Sequence, residues 1–308
     1  MRWYKKKDKM LSVLIPVYNI NCSPLVFELH KQLERSKLKY EIICIDDASN
    51  IHYKENDNLN ILKNTSFSKL KENIGRSSIR NLLVKNAKYD WLLFLDADTL
   101  PTSHMFIENY FDILKNKPIK DVYNGGLSYR NDDKTTNNQL RFKYGIARES
   151  IIFTKRNLTP YISLLMSNTL TKKSVFNSVQ FDENITKYGH EDSLFSFELK
   201  ENNIKVIHID NPVFHTGIED NIVFINKSKI AIENLWQLYQ KGIFKPDMNK
   251  LLKWQIRFRK LLLQSLLVFF YKVFNKKIEK ILLKKNPSLL LFDFYRLSYL
   301  SFIVCKAK

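Results

Sequence analysis

The amino-acid sequence predicts an α/β fold with a mostly parallel central sheet, followed by a basic helical C-terminal region. Short, uninterrupted apolar runs alternate with helical patterns in residues 1–226. Runs of this kind are typical of strands that are buried on both faces, and their alternation with helices indicates βαβ units. Two of the runs end in a pair of acidic residues. The last 82 residues carry long apolar stretches together with most of the excess positive charge.

The composition excludes several classes of protein. Of the 308 residues 44% are hydrophobic and 13% are aromatic, which is enough for a sizeable core and excludes general disorder. The three cysteines have no CxxC spacing, so the sequence indicates neither a disulfide framework nor a zinc site and favours a reducing cytosol. Residues 1–10 are basic and precede an apolar run, but that run is too short for a signal peptide and is predicted to be the first strand.

The predicted elements of the first region follow from their patterns. The predicted helices begin near Pro24 and after Gly75. In chain order, the sequence predicts a strand over 11–17, a helix over 24–38, a strand over 41–45, a helix over 76–88 and a strand over 91–95.

The two acidic pairs follow the second and third predicted strands. Asp46 and Asp47 follow one strand, and Asp96 and Asp98 follow the other. Because ligands bind at the carboxyl ends of parallel strands, we expect both pairs to border one crevice. Carboxylate oxygens suit Mg²⁺ or Mn²⁺, which share their remaining positions with water and substrate phosphates. The alternative for the second pair is a turn in which one carboxylate caps a helix that begins near Thr99.

Six segments together carry a resemblance to a known family. They are LSVLIPVYN (11–19), IDDAS (45–49), ENIGRSSIRN (72–81), LFLDADTLP (93–101), FDENITKYGHEDSLF (181–195) and DNPVFHTG (210–217). In this order the segments resemble the family 2 glycosyltransferases, which are inverting enzymes with the GT-A fold. The resemblance covers residues 11–217. It implies a metal-dependent transfer of a hexosyl or N-acetylhexosaminyl group from a nucleotide-diphosphate sugar, with UDP the expected nucleotide, to a hydroxyl of a glycan acceptor.

The resemblance also implies a nucleotide-binding set. Pro16 and Tyr18 match the segment that lines the nucleobase pocket, where an aromatic ring stacks on uracil; the alternative for Tyr18 is core packing. Asp47 matches the residue that accepts the uracil N3–H. Asp46 either holds the loop or reaches the ribose. Arg80 matches an arginine near the nucleotide or the acidic cluster, with structural pairing to Asp46 or Asp96 as the alternative.

For the metal and the reaction, the resemblance implies further roles. Asp96 contacts the ribose, and Asp98 ligates the metal together with His215, which favours Mn²⁺ over Mg²⁺ because imidazole suits manganese better. Asp192 is the catalytic base, and Glu191 orients the acceptor. Both acids stand at the predicted start of a helix, where the macrodipole helps to keep a carboxylate ionised; the alternative is an ordinary acidic first turn. His208 has no such match and is assigned to packing or to the surface.

The C-terminal region differs in charge from the rest of the chain. Residues 227–308 have a net charge of +14, whereas residues 1–226 have +5 of the total of +19. Their two apolar runs, 261–274 and 289–304, are interrupted by polar residues and are short for a spanning helix. We therefore predict a catalytic domain over 1–226 and, over 227–308, a basic amphipathic region that binds an anionic membrane surface. Helical packing on the main domain and nucleic-acid binding are the alternatives.

These expectations combine into one functional hypothesis. It is a glycosyltransferase peripheral to the cytoplasmic face of the membrane, acting on a glycan or lipid-linked glycan in bacterial cell-surface polysaccharide or lipopolysaccharide synthesis, with no nucleic-acid partner. A metal-dependent nucleotidyltransferase or phosphotransferase would use the same acidic pair, but the sequence has no glycine-rich phosphate loop near the first strand. A nucleic-acid-binding protein would explain the charge and leave the acidic pairs unexplained.

Overall fold

A computed structural model describes residues 10–36, 38–116 and 120–306. The basic residues 1–9 at the start and the last two residues of the predicted C-terminal region lie outside the described residues. The chain divides into two compact units. The first comprises the described residues within 1–128, 149–186 and 195–217, and the second comprises those within 129–148, 187–194 and 218–308.

The strands all belong to the first unit. In chain order they are β1 (Met10–Val17), β2 (Lys39–Asp46), β3 (Thr65–Lys69), β4 (Trp91–Leu95), β5 (Thr99–Pro101), β6 (Val122–Asn124), β7 (Leu127–Ser128), β8 (Asn168–Lys172), β9 (Val206–His208) and β10 (Val213–His215). Seven of the described strands form one sheet in the order β3-β2-β1-β4-β8-β6-β9, and three form a second sheet in the order β5-β10-β7. In the larger sheet β8 runs antiparallel to both its neighbours while the other pairs are parallel, which confirms the mostly parallel α/β fold.

The helices are distributed over both units. In chain order they are α1 (Ser23–Arg35), α2 (Tyr53–Asp57), α3 (Gly75–Asn86), α4 (Phe106–Lys115), α5 (Gln139–Arg148), α6 (Phe153–Arg156), α7 (Glu191–Glu201), α8 (Asn221–Gln240), α9 (Lys250–Lys260), α10 (Gln264–Leu282) and α11 (Leu289–Lys306). The three strands and two helices predicted up to residue 95 are therefore confirmed, with helix ends that differ by one to three residues.

The first strand shows why the apolar runs do not alternate with polar residues. Val13 and Ile15 of β1 join the apolar cluster that includes Leu29 of α1. Leu14 faces the other side of the sheet and joins the cluster that includes Leu83 of α3. Because successive strand residues point to opposite faces, a sheet covered by helices on both faces buries every position and favours apolar residues at nearly all of them. Each fully buried apolar side chain of this size stabilises the fold by roughly 1.5–3 kcal/mol. The buried polar residue of β1, Ser12, donates its hydroxyl to Glu41 Oε1 of β2 over 2.6 Å.

The second unit is helical and has its own core. That core is formed by Leu140, Phe224, Ile225, Ile278, Leu282, Phe292 and Tyr295. The predicted apolar runs 261–274 and 289–304 lie mostly in α10 and α11, which pack against each other. None of the described helices is both long and apolar enough to cross a membrane.

The second unit also draws on residues that precede the predicted C-terminal region. The Asn234 side chain of α8 donates to the carbonyls of Lys187 and Gly189, and His190 Nε2 donates to the Ala231 carbonyl over 2.9 Å. These hydrogen bonds fix residues 187–194 to α8. The division differs from the predicted one, because the predicted boundary between residues 226 and 227 lies inside α8.

Candidate functional site

The ends of β1, β2 and β4 lie at one edge of the larger sheet. These three strands are adjacent and parallel, with Pro16 of β1 opposite Ile45 of β2 and Val17 opposite Asp46. Tyr18 follows β1 directly and is 52% exposed. Its interpretation as a core residue is therefore wrong, and its ring is open to a ligand at this edge.

The side chains of the first acidic pair accept hydrogen bonds from backbone N–H groups at this edge. Asp46 is fully buried, and its Oδ1 accepts a hydrogen bond from the Ser49 N–H over 2.6 Å, so it holds the loop after β2. Asp47 Oδ1 accepts from the Ile74 N–H over 2.7 Å and Oδ2 from the Gly75 N–H over 3.0 Å, which satisfies donors at the start of α3. Burial raises the pKa of Asp47, and the two backbone hydrogen bonds oppose that rise.

The second acidic pair has side-chain partners instead. Arg80 of α3 is buried, and its Nη2 lies 3.2 Å from Asp96 Oδ1. The guanidinium carbon lies 5.4 Å from the centre of the Phe181 ring, an arrangement that favours the cation. Arg80 thus pairs with Asp96, one of the two structural alternatives for this arginine.

The smaller sheet brings His215 to Asp98. Strand β10 pairs antiparallel with β5, which places His215 opposite Thr99, and His215 Nε2 lies 3.7 Å from Asp98 Oδ2. The backbone N–H and the hydroxyl of Thr216 both donate to the Asp98 carbonyl, over 2.8 and 2.9 Å. The proposal that a helix begins near Thr99 is therefore wrong, because residues 99–101 form β5.

The Asp98–His215 pair has the chemistry of a partial metal site. Among the described residues there is no group of three or more His, Cys, Asp and Glu side chains that could hold a metal ion. A carboxylate oxygen and an imidazole nitrogen nevertheless fit Mn²⁺ when phosphate oxygens and water complete its coordination. A Cβ atom on Gly217 would lie 2.7 Å from Asp98 Oδ2. Because glycine has no Cβ, the Asp98 carboxylate can occupy this position without a clash. The residues present thus fit a two-ligand site.

Sequence reasoning missed three residues around Asp98. Gly217 and Thr216 contact it as described above, and the Arg76 cation of α3 opposes the rise that burial produces in the pKa of Asp98. The only signal for Gly217 and Thr216 was their position directly after His215. Arg76 follows Gly75 in the quoted motif, but nothing in the local sequence relates it to Asp98.

The proposed acceptor-side acids begin a helix, as predicted. Glu191 and Asp192 occupy the first turn of α7, where Glu191 is buried and Asp192 is half-buried. Both belong to the second unit, whereas the other predicted site residues belong to the first. The preceding His190 has a φ of 79°, and its hydrogen bond to Ala231 holds this helix start in place.

His208 has a structural environment that agrees with its assignment to packing. It is buried, its Nε2 donates to the Pro160 carbonyl over 2.8 Å, and its Nδ1 lies 3.0 Å from Arg156 Nη1. Burial lowers the pKa of His208 to about 4. A neutral imidazole that accepts from the Arg156 guanidinium accounts for both contacts.

The chain belongs to glycosyl transferase family 2, whose family model matches residues 12–178. The fold is the GT-A fold and is similar to that of a mannosyltransferase, PcManGT, from Pyrobaculum calidifontis, whose structure is a complex with GDP-Man and Mn²⁺. That likeness has a TM-score of 0.58 at 13% identity and covers 96% of this chain and 86% of the other.

Two further solved structures are similar in fold. S. aureus TarS 1-349 matches with a TM-score of 0.51 at 16% identity, over 97% of this chain and 91% of the other. Mannosyl-3-phosphoglycerate synthase from Rubrobacter xylanophilus matches with 0.53 at 12% identity, over 77% and 76%. The chain spans 39% of the length of a longer TarS structure. No significant match was found among curated protein sequences.

Proposed function

We propose that the protein is a metal-dependent inverting glycosyltransferase that moves a hexosyl or N-acetylhexosaminyl group from a UDP-sugar to a hydroxyl of a glycan acceptor. The observation that carries the proposal is the Asp98–His215 pair at the carboxyl edge of the sheet in a family 2 chain. Membership of this family favours sugar transfer over nucleotidyl transfer and over nucleic-acid binding. The acidic edge also disfavours a polyanionic partner.

The nucleotide is proposed to bind across the ends of β1 and β2. The exposed Tyr18 ring stacks on the base, and Pro16, two residues earlier, lines the same pocket. Asp47 accepts the uracil N3–H, because each carboxylate oxygen retains a lone pair besides the one that its backbone N–H occupies. Cytosine has an acceptor at N3 and would be rejected. Asp46 supports this loop through its hydrogen bond to Ser49.

The sugar diphosphate is proposed to bind at the second acidic pair. Asp96 accepts from the ribose hydroxyls and is held in place by Arg80. Asp98 and His215 are the side chains that would hold Mn²⁺ or Mg²⁺. A bound divalent cation supplies positive charge that stabilises the diphosphate as it leaves.

The proton transfer is assigned to the acids at the start of α7. Asp192 takes the proton of the acceptor hydroxyl while that oxygen attacks the anomeric carbon, and the bond from the anomeric carbon to the diphosphate oxygen breaks on the opposite face. The products are the glycosidic bond with inverted configuration, the nucleoside diphosphate and a protonated Asp192. Glu191 orients the acceptor. The support for both roles is the match to the acceptor-side motif and the position in the first turn of α7.

The acceptor and the cellular location are proposed from the charge of the C-terminal region. Residues 227–308, with a net charge of +14, hold the enzyme at the anionic cytoplasmic face of the membrane, where lipid-linked glycans for surface polysaccharide or lipopolysaccharide are assembled.

Calorimetry with a panel of nucleotides tests the donor site. The protein is titrated with UDP, GDP, dTDP and CMP, each with Mn²⁺ and with EDTA. We expect UDP to bind in Mn²⁺ and to lose at least about tenfold in affinity in EDTA, because the diphosphate then lacks its counter-charge. Binding that is equal in EDTA would contradict the metal proposal, and preference for GDP would contradict UDP as the donor nucleotide.

One substitution separates nucleotide binding from the transfer reaction. Asp192→Asn keeps the shape of the side chain but lacks the basic oxygen. We expect unchanged UDP affinity and a loss of about 10²–10⁴ in transfer from the UDP-sugar that the panel identifies. Transfer at the wild-type rate would show that Asp192 is not the base.

A further inference from the structure

The connection between α9 and α10 exposes three consecutive leucines. Leu261, Leu262 and Leu263 are 58%, 86% and 40% exposed, and we call residues 261–263 the leucine corner. Exposed apolar residues on a soluble surface are usually scattered singly, and a contiguous group marks an interaction site. The corner is therefore a surface that requires a partner.

The backbone of the corner supports the same conclusion. Leu262 has a φ of 59°, the left-handed region, at the position that ends α9, where its N–H bonds the Arg259 carbonyl and the Leu263 N–H bonds the Phe258 carbonyl over 3.0 Å. Helices usually end in this conformation at a glycine or an asparagine. A leucine at this position is strained by the left-handed backbone, and its apolar side chain is exposed to water. Neither the end of the helix nor the solubility of the protein therefore explains why Leu262 is a leucine.

The apolar surface continues along α10. One face of this helix is buried in the second unit through Leu267, Val268, Ile278 and Leu282. On another face the residues at helical spacing are half exposed, and they are Leu266, Phe269 and Val273. On α9, Trp254 is also half exposed, and the Arg257 guanidinium carbon lies 5.2 Å from its ring centre. An apolar stripe thus extends from the corner along a helix that is already anchored on its other side.

The charge around the corner is almost entirely positive. Residues 250–285 contain eleven lysines and arginines and a single acid, Glu279. That acid is engaged within the unit, since it accepts from Lys229 Nζ over 2.6 Å and from the Tyr295 hydroxyl. Arg257, Arg259 and Lys260 immediately precede the leucines and are all exposed.

We infer that the leucine corner inserts into the interface of an anionic lipid bilayer. The leucines enter the acyl boundary, the Trp254 ring lies at the headgroup level, and the basic side chains before the corner contact lipid phosphates. A second copy of this chain would bring two strongly positive surfaces together, and a nucleic acid would leave the leucines in water. The inference rests on the proposed membrane association and assigns it to one corner of the second unit rather than to residues 227–308 as a whole.

Vesicle sedimentation of the full chain tests the inference through one substitution. Leu262→Asn removes the most exposed apolar side chain and supplies a residue that tolerates the left-handed conformation. We expect a thermal midpoint that is unchanged or raised, unchanged Mn²⁺-dependent UDP binding, and binding to phosphatidylcholine vesicles containing phosphatidylglycerol that is about tenfold weaker. Leu158→Asn is the matched control, because Leu158 is an 81% exposed leucine of the first unit.

The outcomes separate the corner from the wider proposal. If the wild-type protein does not sediment with the anionic vesicles, the proposed membrane association is wrong. Wild-type binding that Leu262→Asn leaves intact, or that Leu158→Asn weakens equally, overturns the role of the corner alone. Equal binding to pure phosphatidylcholine vesicles contradicts the part assigned to the basic residues. None of these results depends on the sugar donor, so loss of UDP binding in the calorimetric test remains a separate failure of the glycosyltransferase proposal.

Discussion

The two acidic pairs at the sheet edge look alike in sequence and differ in their surroundings. Asp46 and Asp47 accept hydrogen bonds from backbone N–H groups and are buried. Asp96 and Asp98 are partly exposed and lie near the side chains of Arg80 and His215. A carboxylate held by backbone donors fixes the local fold, whereas one held by side chains at a partly exposed edge can exchange partners with a ligand. The first pair should therefore affect stability in addition to the nucleotide contact proposed for Asp47, whereas the second should affect binding with little effect on stability.

The largest expected effect is on binding at the second pair. Asp98→Ala should weaken Mn²⁺-dependent UDP binding by about 100-fold or more while leaving the thermal midpoint unchanged or slightly raised. Burial raises the pKa of this carboxyl, so its ionised form does not favour folding. Calorimetry and thermal unfolding on the same preparation measure both. If Asp98→Ala lowers the thermal midpoint yet binds UDP as the wild type does, then Asp98 stabilises the fold and does not contribute to binding.

The next effect is on stability at the first pair. Asp47→Ala leaves the Ile74 and Gly75 N–H groups at the start of α3 without their acceptor and should lower the free energy of unfolding by about 1–2 kcal/mol. Denaturant unfolding gives this value. Asp57→Ala, at an exposed position in the same unit, is the control and should change stability by less than about 0.5 kcal/mol. A stability loss no larger than the control's would show that Asp47 is not a structural cap.

A smaller effect is expected from the residue packed against Asp98. In Gly217→Ala the new methyl group meets Asp98 Oδ2 at 2.7 Å and Asp98 Cβ at 2.8 Å, so both the carboxylate and the backbone that carries it must shift. Mn²⁺-dependent UDP affinity should fall about tenfold, and the free energy of unfolding should fall by about 1 kcal/mol because the site becomes overpacked. Calorimetry at saturating Mn²⁺ checks the first value. Wild-type affinity would mean that the position of this carboxylate does not control the site.

Tyr18, which lies outside both acidic pairs, provides a further test of nucleotide binding at the sheet edge. Tyr18→Ala removes an exposed ring and should weaken UDP binding about fivefold or more, because base–aromatic stacking contributes roughly 1–3 kcal/mol. Tyr18→Phe keeps the ring and should bind as the wild type does. If both variants lose affinity equally, the hydroxyl rather than the ring contacts the nucleotide.

The smallest effect is a pH dependence at Asp47. Burial raises its pKa above the unfolded value, so the folded state binds more protons in the interval between the two pKa values and the wild type loses stability as the pH rises through it. Asp47→Asn does not titrate. The unfolding free energy of the wild type should therefore fall relative to that of the variant as the pH rises above the ordinary aspartate pKa of 3.8. A shift in the opposite direction would show that the backbone hydrogen bonds outweigh burial.

Much of the first unit could be predicted from local patterns. The runs 11–17, 41–45 and 91–95 are apolar apart from Ser12 and Glu41, which hydrogen-bond each other, because helices cover both faces of the sheet. The strand ends then place the acidic pairs at one edge. The start of α7 at Glu191 was also expected from the sequence. The strands, their ends and the start of α7 depend on residues that are close together in the chain. The local order of apolar and polar residues is therefore enough to predict them.

By itself the sequence determined the α/β class, the strand ends that carry the acidic pairs and the helical character of the C-terminal region. Only the tertiary structure decided that Asp47 caps a helix, that β10 pairs with β5 to bring His215 to Asp98, and that residues 187–194 join α8. It also decided which leucines of the C-terminal region remain exposed. The physical reason is that burial and pairing between distant segments depend on how packed elements meet, whereas periodicity and capping act within a few residues.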